Sequence, residues 1–593
     1  MTLKVVAMLA ALLAPQAKSS YHIDLRGYFP TETAERTQRD NLLADVDTFT
    51  MVPPSSLRTS RALLRWLITR ESLVKGLHRH DVYVYLRAEA DIDDHADAAA
   101  DAAISDALGR IDAATQREFE RLGPAALNRL MAQNTDLAAY RYLIESTLRQ
   151  AEHASQNGEA VRLLADPALS SLADSYRSLL RAVQPAPRSP VSNTTARQAF
   201  EAGWEPYQKN ETAFSGLLIP IVQLQDGKAR LRGFAGAPEA AYFGAGLTAA
   251  EVNGVLVALQ RSTPYKRYEI VIAAAAARQL HEPIDKLHAW DLDAADSYQP
   301  ARTDFSDAVS LILAAEQPMG AEYAGQFARL FEPANHRVEL CEGDKCDDTG
   351  FSFGYAGTTS GLFYGSYRGT TDSIRALAHE AGHAVHREFM NENQPLAAYN
   401  SGPHFIFESF AIFNELLLLD RLCQTAPTPA AKAYYLRKFL DDATFQVYGS
   451  AREADLEQQI YGGVRNGRVH SAKDLDVLTL KVFSQYLGAP ALAPEMSVYW
   501  ARNRLYFTDP LYDVNYLFAG LLALEYLRQF EADPQNFSQR YVSLLKNGFT
   551  DTPQRLEEKF LGIDLDNSER MVSNAATLIE ERTTTLERLY RAP

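Results

Sequence analysis

Apolar and polar positions alternate at helical spacing almost without interruption from Asp40 to about Val183, as in Ala98 to Leu122 and Asp136 to Ala151. The stretch Gln184-Pro185-Ala186-Pro187-Arg188-Ser189-Pro190 breaks this pattern and marks a boundary between two parts of the chain. Helical spacing resumes from Thr195 through His281. Shorter aromatic and β-branched stretches then predict strands at Val338 to Cys341, Phe351 to Tyr355 and Gly361 to Tyr367. Long helical patterns follow to the end, with no internal repeat and no low-complexity tract. The expectation is a mostly α protein with one small antiparallel sheet.

The helical run after the strands carries the most informative residues. Thr371, Asp372 or Ser373 caps it, and Ile374, Leu377, Ala378, Ala381 and Val385 keep an apolar period. Inside it stands His379-Glu380-Ala381-Gly382-His383, an HExxH pattern. Residues four apart on a helix lie about 40° apart and one turn along, so both imidazoles reach one metal ion from one face. Glu380 sits roughly 100° further round. From there it reaches the open side of the ion as a general base towards water. Gly382 costs about 1 kcal/mol against alanine in a helix, which makes sense where another backbone passes close.

A second long apolar run, Pro403 to Leu417, contains two acids. Burying an unpaired carboxylate is costly, so such an acid is paired, protonated or bound to metal. Glu408 lies 408 − 383 = 25 residues after the second histidine, room for a loop and a new helix. It is the candidate third ligand, because two imidazoles and one carboxylate hold Zn²⁺ with a position left open. Manganese or cobalt suits the same donors. Glu415, two turns further on, either supports a ligand histidine or pairs with a distant cation. His404 and His386 are candidates for packing, cleft-lining or support of the ligands, since a fourth ligand would close the site.

Composition narrows the class. The chain has 593 residues, 46% hydrophobic and 23% charged, as expected of a globular protein. Acids outnumber bases 75 to 59, for a net charge of −16, and no basic stretch suits nucleic acid. Residues 1–20 read as a signal peptide, with Lys4, an apolar Val5 to Leu13 and small residues at Ala14, Ala17, Ser19 and Ser20. That points to a periplasmic or secreted protein; the alternative is a frayed helix on a cytoplasmic one. No later run is long and apolar enough to span a membrane. Cys341 and Cys346 flank a turn-like tetrapeptide and are either a local disulfide or a free pair, and Cys423 stands alone.

At the HExxH segment the chain resembles the M3 peptidases, the thimet oligopeptidase group, and within it the oligoendopeptidase F branch. The 25-residue step to Glu408 fits that family. So does Gly361-Leu362-Phe363-Tyr364-Gly365-Ser366-Tyr367-Arg368-Gly369-Thr370, which in the family is a strand and glycine turn lying along the substrate. Asp24 to Pro30, Leu287 to Leu292 and Gly548 to Pro553 extend the resemblance from about residue 22 to the end. It implies two helical lobes, 21–190 and a catalytic region 191–593, around a deep channel. It implies one Zn²⁺ per chain held by His379, His383 and Glu408, with Glu380 as general base. Tyr512, and next Tyr516, match the family's oxyanion-stabilising tyrosines. Tyr506 stands where relatives carry a histidine that contacts substrate. Gly361 and Tyr364 fall in the substrate-flanking strand.

The expected activity is endopeptidase cleavage of short, unstructured peptides. Two alternatives remain: a dipeptidyl-type carboxypeptidase, and, prompted by Tyr506, a peptide-binding relative with weakened catalysis. The partners expected are short peptides, without nucleic acid or a membrane span, on a monomer or dimer.

Overall fold

The computed structural model describes residues 20–51, 56–90, 98–153, 158–183, 195–341, 346, 349–365, 367–488 and 492–591. The signal-like residues 1–19 and the proline-rich break at 184–190 lie outside them. The described chain is mostly helical. The helices used below are α1 (Ser60–Ala90), α2 (Ala98–Gln133), α3 (Gly158–Val183), α4 (Thr371–Asn393), α5 (His404–Gln424), α6 (Ser450–Arg465) and α7 (Asp513–Ala532). The strands are β1 (Val338–Cys341), β2 (Gly350–Phe353) and β3 (Gly361–Gly365). Helix α2 bends at Gly123, whose φ of 74° is open to glycine, and Pro124 follows at the start of the next turn.

Apolar side chains divide into a large core and two smaller clusters. The large core runs from Tyr176 to Leu586 and includes α4, α5 and α7. Tyr176 of α3 stacks on Phe507 at 4.0 Å, so α3 packs into this core. A second cluster gathers Phe29 to Ile144. A third, with Val82, Leu86, Cys341, Phe353 and Phe363, joins α1 to one face of the sheet. Helix α5 is buried on all sides from Phe405 to Leu419 and packs against α4 and α7. Apolarity all round is the signature of a core helix. No single helix among the described residues is long and apolar enough to cross a membrane.

The sheet order is β1-β3-β2. β2 pairs antiparallel with β3, but β1 pairs parallel, so the sheet is mixed where the sequence predicts it antiparallel. The reason is topological: β3 returns between the two earlier strands. The outer edge of β1 is covered by the N-terminal segment, with Leu340 N–H donating to the Tyr21 carbonyl. Cys341 and Cys346 form a disulfide beside β1, and Cys423 is free and buried.

Candidate metal centre

Helix α4 starts one residue earlier than the expected caps. Thr370 is its N-cap, and the threonine hydroxyl accepts from Ser373 N–H at 3.2 Å. Nine residues on, His379 and His383 project from one face with their rings edge to face, centroids 4.7 Å apart. Gly382 is required by the crossing of α4 and α5. A Cβ there would lie 2.5 Å from Asn414 Nδ2 and 3.2 Å from Ala411 Cα. Asn414 cannot give way, because Nδ2 donates to the Phe410 carbonyl and Oδ1 accepts from the Tyr323 hydroxyl.

Helix α5 brings Glu408 and Glu415 under the two imidazoles. Glu408 Oε2 lies 3.3 Å from His379 Nε2 and 3.5 Å from His383 Nε2. This buried oxygen receives no hydrogen bond of acceptable geometry, so the three donor atoms converge on one point rather than on each other. A tetrahedral ion with donors about 2.0–2.1 Å away holds them about 3.3–3.4 Å apart, close to the 3.3 and 3.5 Å between Glu408 Oε2 and the two imidazoles. The donor set therefore fits a divalent metal. His379 Nδ1 bonds Glu415 Oε1 at 2.5 Å, which turns Nε2 towards the shared point. The other Glu415 oxygen pairs with Arg375, and Arg375 also reaches Asp442 at 3.1 Å. Glu415 thus does both things open to it, supporting a histidine and pairing with a cation.

Glu380 is half-buried beside this group, its Cγ 3.4 Å from where a Cβ on Gly350 of β2 would stand. The Tyr512 hydroxyl donates to Glu408 Oε1 at 2.8 Å, and the Tyr516 ring packs 5.2 Å from that of Tyr512. Burial, with the Glu408 charge adding to it, pushes both phenols above their ordinary range and keeps them protonated donors at neutral pH. His404 is exposed, its ring 5.2 Å from Tyr512, in the wall of a cavity of about 790 Å³ that Arg70, Asp112 and Tyr142 line from the other side. His386 is enclosed by Phe407, Phe410 and Phe549, and burial pushes its pKa well down, so it is a packing residue.

Three substrate-side expectations are corrected. Tyr506 is fully buried, and its hydroxyl donates to the Glu453 carbonyl of α6 at 2.8 Å, so it does not stand in for a substrate-contacting histidine. Gly361 lies in β3, the central strand, whose two edges are already paired. It admits no substrate, and a Cβ there would meet the Arg337 carbonyl at 2.3 Å. Tyr364, also in β3, is buried and donates to the Ser373 carbonyl, pinning the sheet to the first turn of α4. The open edge belongs to β2. Gly365 N–H donates to the Thr349 carbonyl, so by antiparallel alternation Gly350 and Ser352 aim their N–H and C=O groups outward. No backbone partner meets them among the described residues.

Residues 368–576, which hold both histidines, Glu408 and the tyrosine segment, match the model of peptidase family M3. Over these residues the chain is similar to peptidase family M3. The relatives it matches bear the names oligoendopeptidase F and oligopeptidase. It is 24% identical over 411 residues to an oligoendopeptidase F homolog of Lactococcus lactis, covering 66% of this chain and 64% of that one. It is 22% identical over 494 residues to oligopeptidase PepF of Bacillus subtilis, covering 78% and 71%. The match thus spans just under two thirds of the length of the first of these relatives. In fold, the oligoendopeptidase F of Enterococcus faecium superposes with a TM-score of 0.67 at 18% identity, covering 93% of this chain and 97% of that one.

Several residues of this site escape a reading of the sequence alone. Arg375 precedes His379 by one turn, a spacing that offers a usable signal. Gly350 and Ser352 owe their outward groups to strand order, which no local pattern encodes. The same holds for Glu457, whose carboxylate accepts the Leu511 N–H at 2.7 Å from 54 residues away.

Proposed function

We propose that this protein is a zinc-dependent oligopeptidase that cleaves short, unstructured peptides internally. The observation that carries the reading is the convergence of His379 Nε2, His383 Nε2 and Glu408 Oε2, with Glu380 beside them and a free strand edge alongside. The borderline nitrogen and oxygen donors favour zinc. When bound, the ion acidifies a water and polarises the scissile carbonyl.

Glu380 takes the water's proton and delivers it to the leaving amine. Tyr512 and Tyr516, neutral phenols at the site, donate hydrogen bonds to the developing oxyanion. For that, the Tyr512 hydroxyl turns from Glu408 Oε1 to the substrate. Glu415 holds the His379 tautomer, and Arg375 balances the Glu415 charge. The outward groups of Gly350 and Ser352 add the peptide backbone as a further strand, which favours extended peptides over folded proteins. The name oligoendopeptidase F, borne by the relatives, supports internal cleavage. The disulfide and the signal-like N-terminus support an exported protein.

Glu380→Gln tests the reading. The variant is expected to retain one zinc per chain by elemental analysis and to lose hydrolysis of a quenched peptide of about ten residues. Retained turnover refutes the base assignment. Product masses from the wild type separate internal cleavage from release of C-terminal dipeptides.

A further inference from the structure

Helix α4 carries a second charged group on the face that bears the metal ligands. Arg387 follows His383 by four residues and Glu380 by seven, one and two turns along. Its guanidinium lies over the rings of Tyr355 and Phe407, at 5.4 and 5.1 Å. Nε donates to Ser352 Oγ and Nη1 to the Gly354 carbonyl, each at 3.3 Å, long for a charged donor. Nη2 has no protein partner among the described residues. No carboxylate of the described residues comes within ion-pair distance, Glu380 and Glu408 acting on it only from further off, whereas Arg337 is held by Glu388 and Arg375 by Glu415. A half-buried guanidinium without a directly paired carboxylate is costly to retain. Packing of α4 against β2 does not require it, since a neutral side chain could make the same two contacts.

Its position says what it faces. Ser352 and Gly354, its two partners, belong to the open β2 edge and its end. Antiparallel addition of a peptide is the more stable pairing. With Glu380 against Gly350, that pairing places residues before the scissile bond beside Ser352 and Gly354. At about 3.3 Å per residue, Ser352 is about two residues from the reacting centre. We propose that Arg387 forms an anion-accepting subsite that takes an Asp or Glu side chain two or three residues before the scissile bond. A planar guanidinium with Nη2 free suits a carboxylate. This rests on the peptidase reading above.

Quenched peptides of about ten residues, with Glu or Gln at the first, second or third position before the cleaved bond, test it. Product masses fix that bond. The wild type is expected to favour Glu over Gln at least fivefold in kcat/KM at the second or third position. Arg387→Gln is expected to bring that ratio near one, and Arg387→Lys to leave it intermediate. The ratio is the readout, so a general loss of activity does not mimic the result. Binding of the same labelled peptides to Glu380→Gln gives the ratio without turnover. If the metal-loaded wild type hydrolyses neither peptide, the peptidase reading fails and the binding ratio still decides the subsite. A wild-type ratio near one at all three positions, or a ratio that Arg387→Gln leaves unchanged, overturns the proposal. Peptides with free and amidated C-termini form the last arm. A preference that follows the terminal carboxylate overturns the side-chain assignment.

Discussion

The backbone N–H of Leu511 donates to the buried carboxyl of Glu457 at 2.7 Å, and it does so with Leu511 in the left-handed region, φ 67°. That conformation costs a residue with a Cβ about 1–2 kcal/mol. It persists because α6 holds it, and the next residue is Tyr512, whose hydroxyl reaches Glu408. Glu457 therefore aims the phenol at the metal centre from outside the site. Glu457→Ala is expected to lower kcat about 10- to 100-fold with metal content and KM little changed, as for a small misplacement of a catalytic group. Glu457→Gln keeps an acceptor for Leu511 and should retain most activity. In a Tyr512→Phe background, Glu457→Ala should cost nothing more; additive losses would show that the clamp does not act through Tyr512.

Glu415 supports His379 through Nδ1. Glu415→Gln removes the charge that orients the imidazole and leaves Arg375 to Asp442. Metal affinity, measured by competition with a chelating dye, is expected to fall about 10- to 100-fold. Unchanged affinity would mean that packing alone orients the ring.

Gly382→Ala should destabilise the protein although alanine is the better helix former by about 1 kcal/mol. The added methyl meets Asn414 and the α5 backbone, and Asn414 is held at both ends. A net loss of about 1–3 kcal/mol, typical of overpacking, is the expected outcome in thermal unfolding. A raised Tm would show that α4 and α5 part freely.

Stability should also fall as pH rises, through buried acids remote from the metal. Burial pushes Glu557 up to about 8; one oxygen accepts from the Tyr526 hydroxyl at 2.7 Å and the other has no partner among the described residues. A carboxyl raised in the folded state binds more protons there than in the unfolded chain. Its contribution is complete below the ordinary glutamate value near 4.5 and is lost as pH climbs through about 8. Glu557→Gln, neutral at every pH, should match the wild-type Tm at pH 5.5 and exceed it at pH 8.5 by about 1–3 °C. Equal differences at both pH values would place the proton elsewhere.

The local period of the sequence carries much of this molecule. The bounds of β1, the α4 face with its two histidines, and the spacing of Glu408 and Glu415 along α5 all follow from side-chain type and helix geometry. The close approach behind Gly382 was legible too, as the cost of a glycine inside a helix. What stays hidden is non-local. Gly361 and Gly350 both read as strand residues, and only the return of β3 between β1 and β2 decides which strand keeps an open edge. Tyr506 and Tyr512 share one segment, yet with the left-handed turn at Leu511 between them one lies in the core and the other reaches Glu408. Arg387 looks like an ordinary surface residue of a helix until it is seen to lack an ion-pair partner among the described residues.

Helix α5, buried on every side from Phe405 to Leu419, also carries both Glu408 and Glu415. The interior and the candidate ligand set are mechanically one object. A void opened far along it, at Leu416 or Leu418, would tilt the acids by fractions of an ångström before the fold gave way. Metal content would then serve as a gauge of how well the centre of the molecule is filled, reporting damage that circular dichroism still scores as intact.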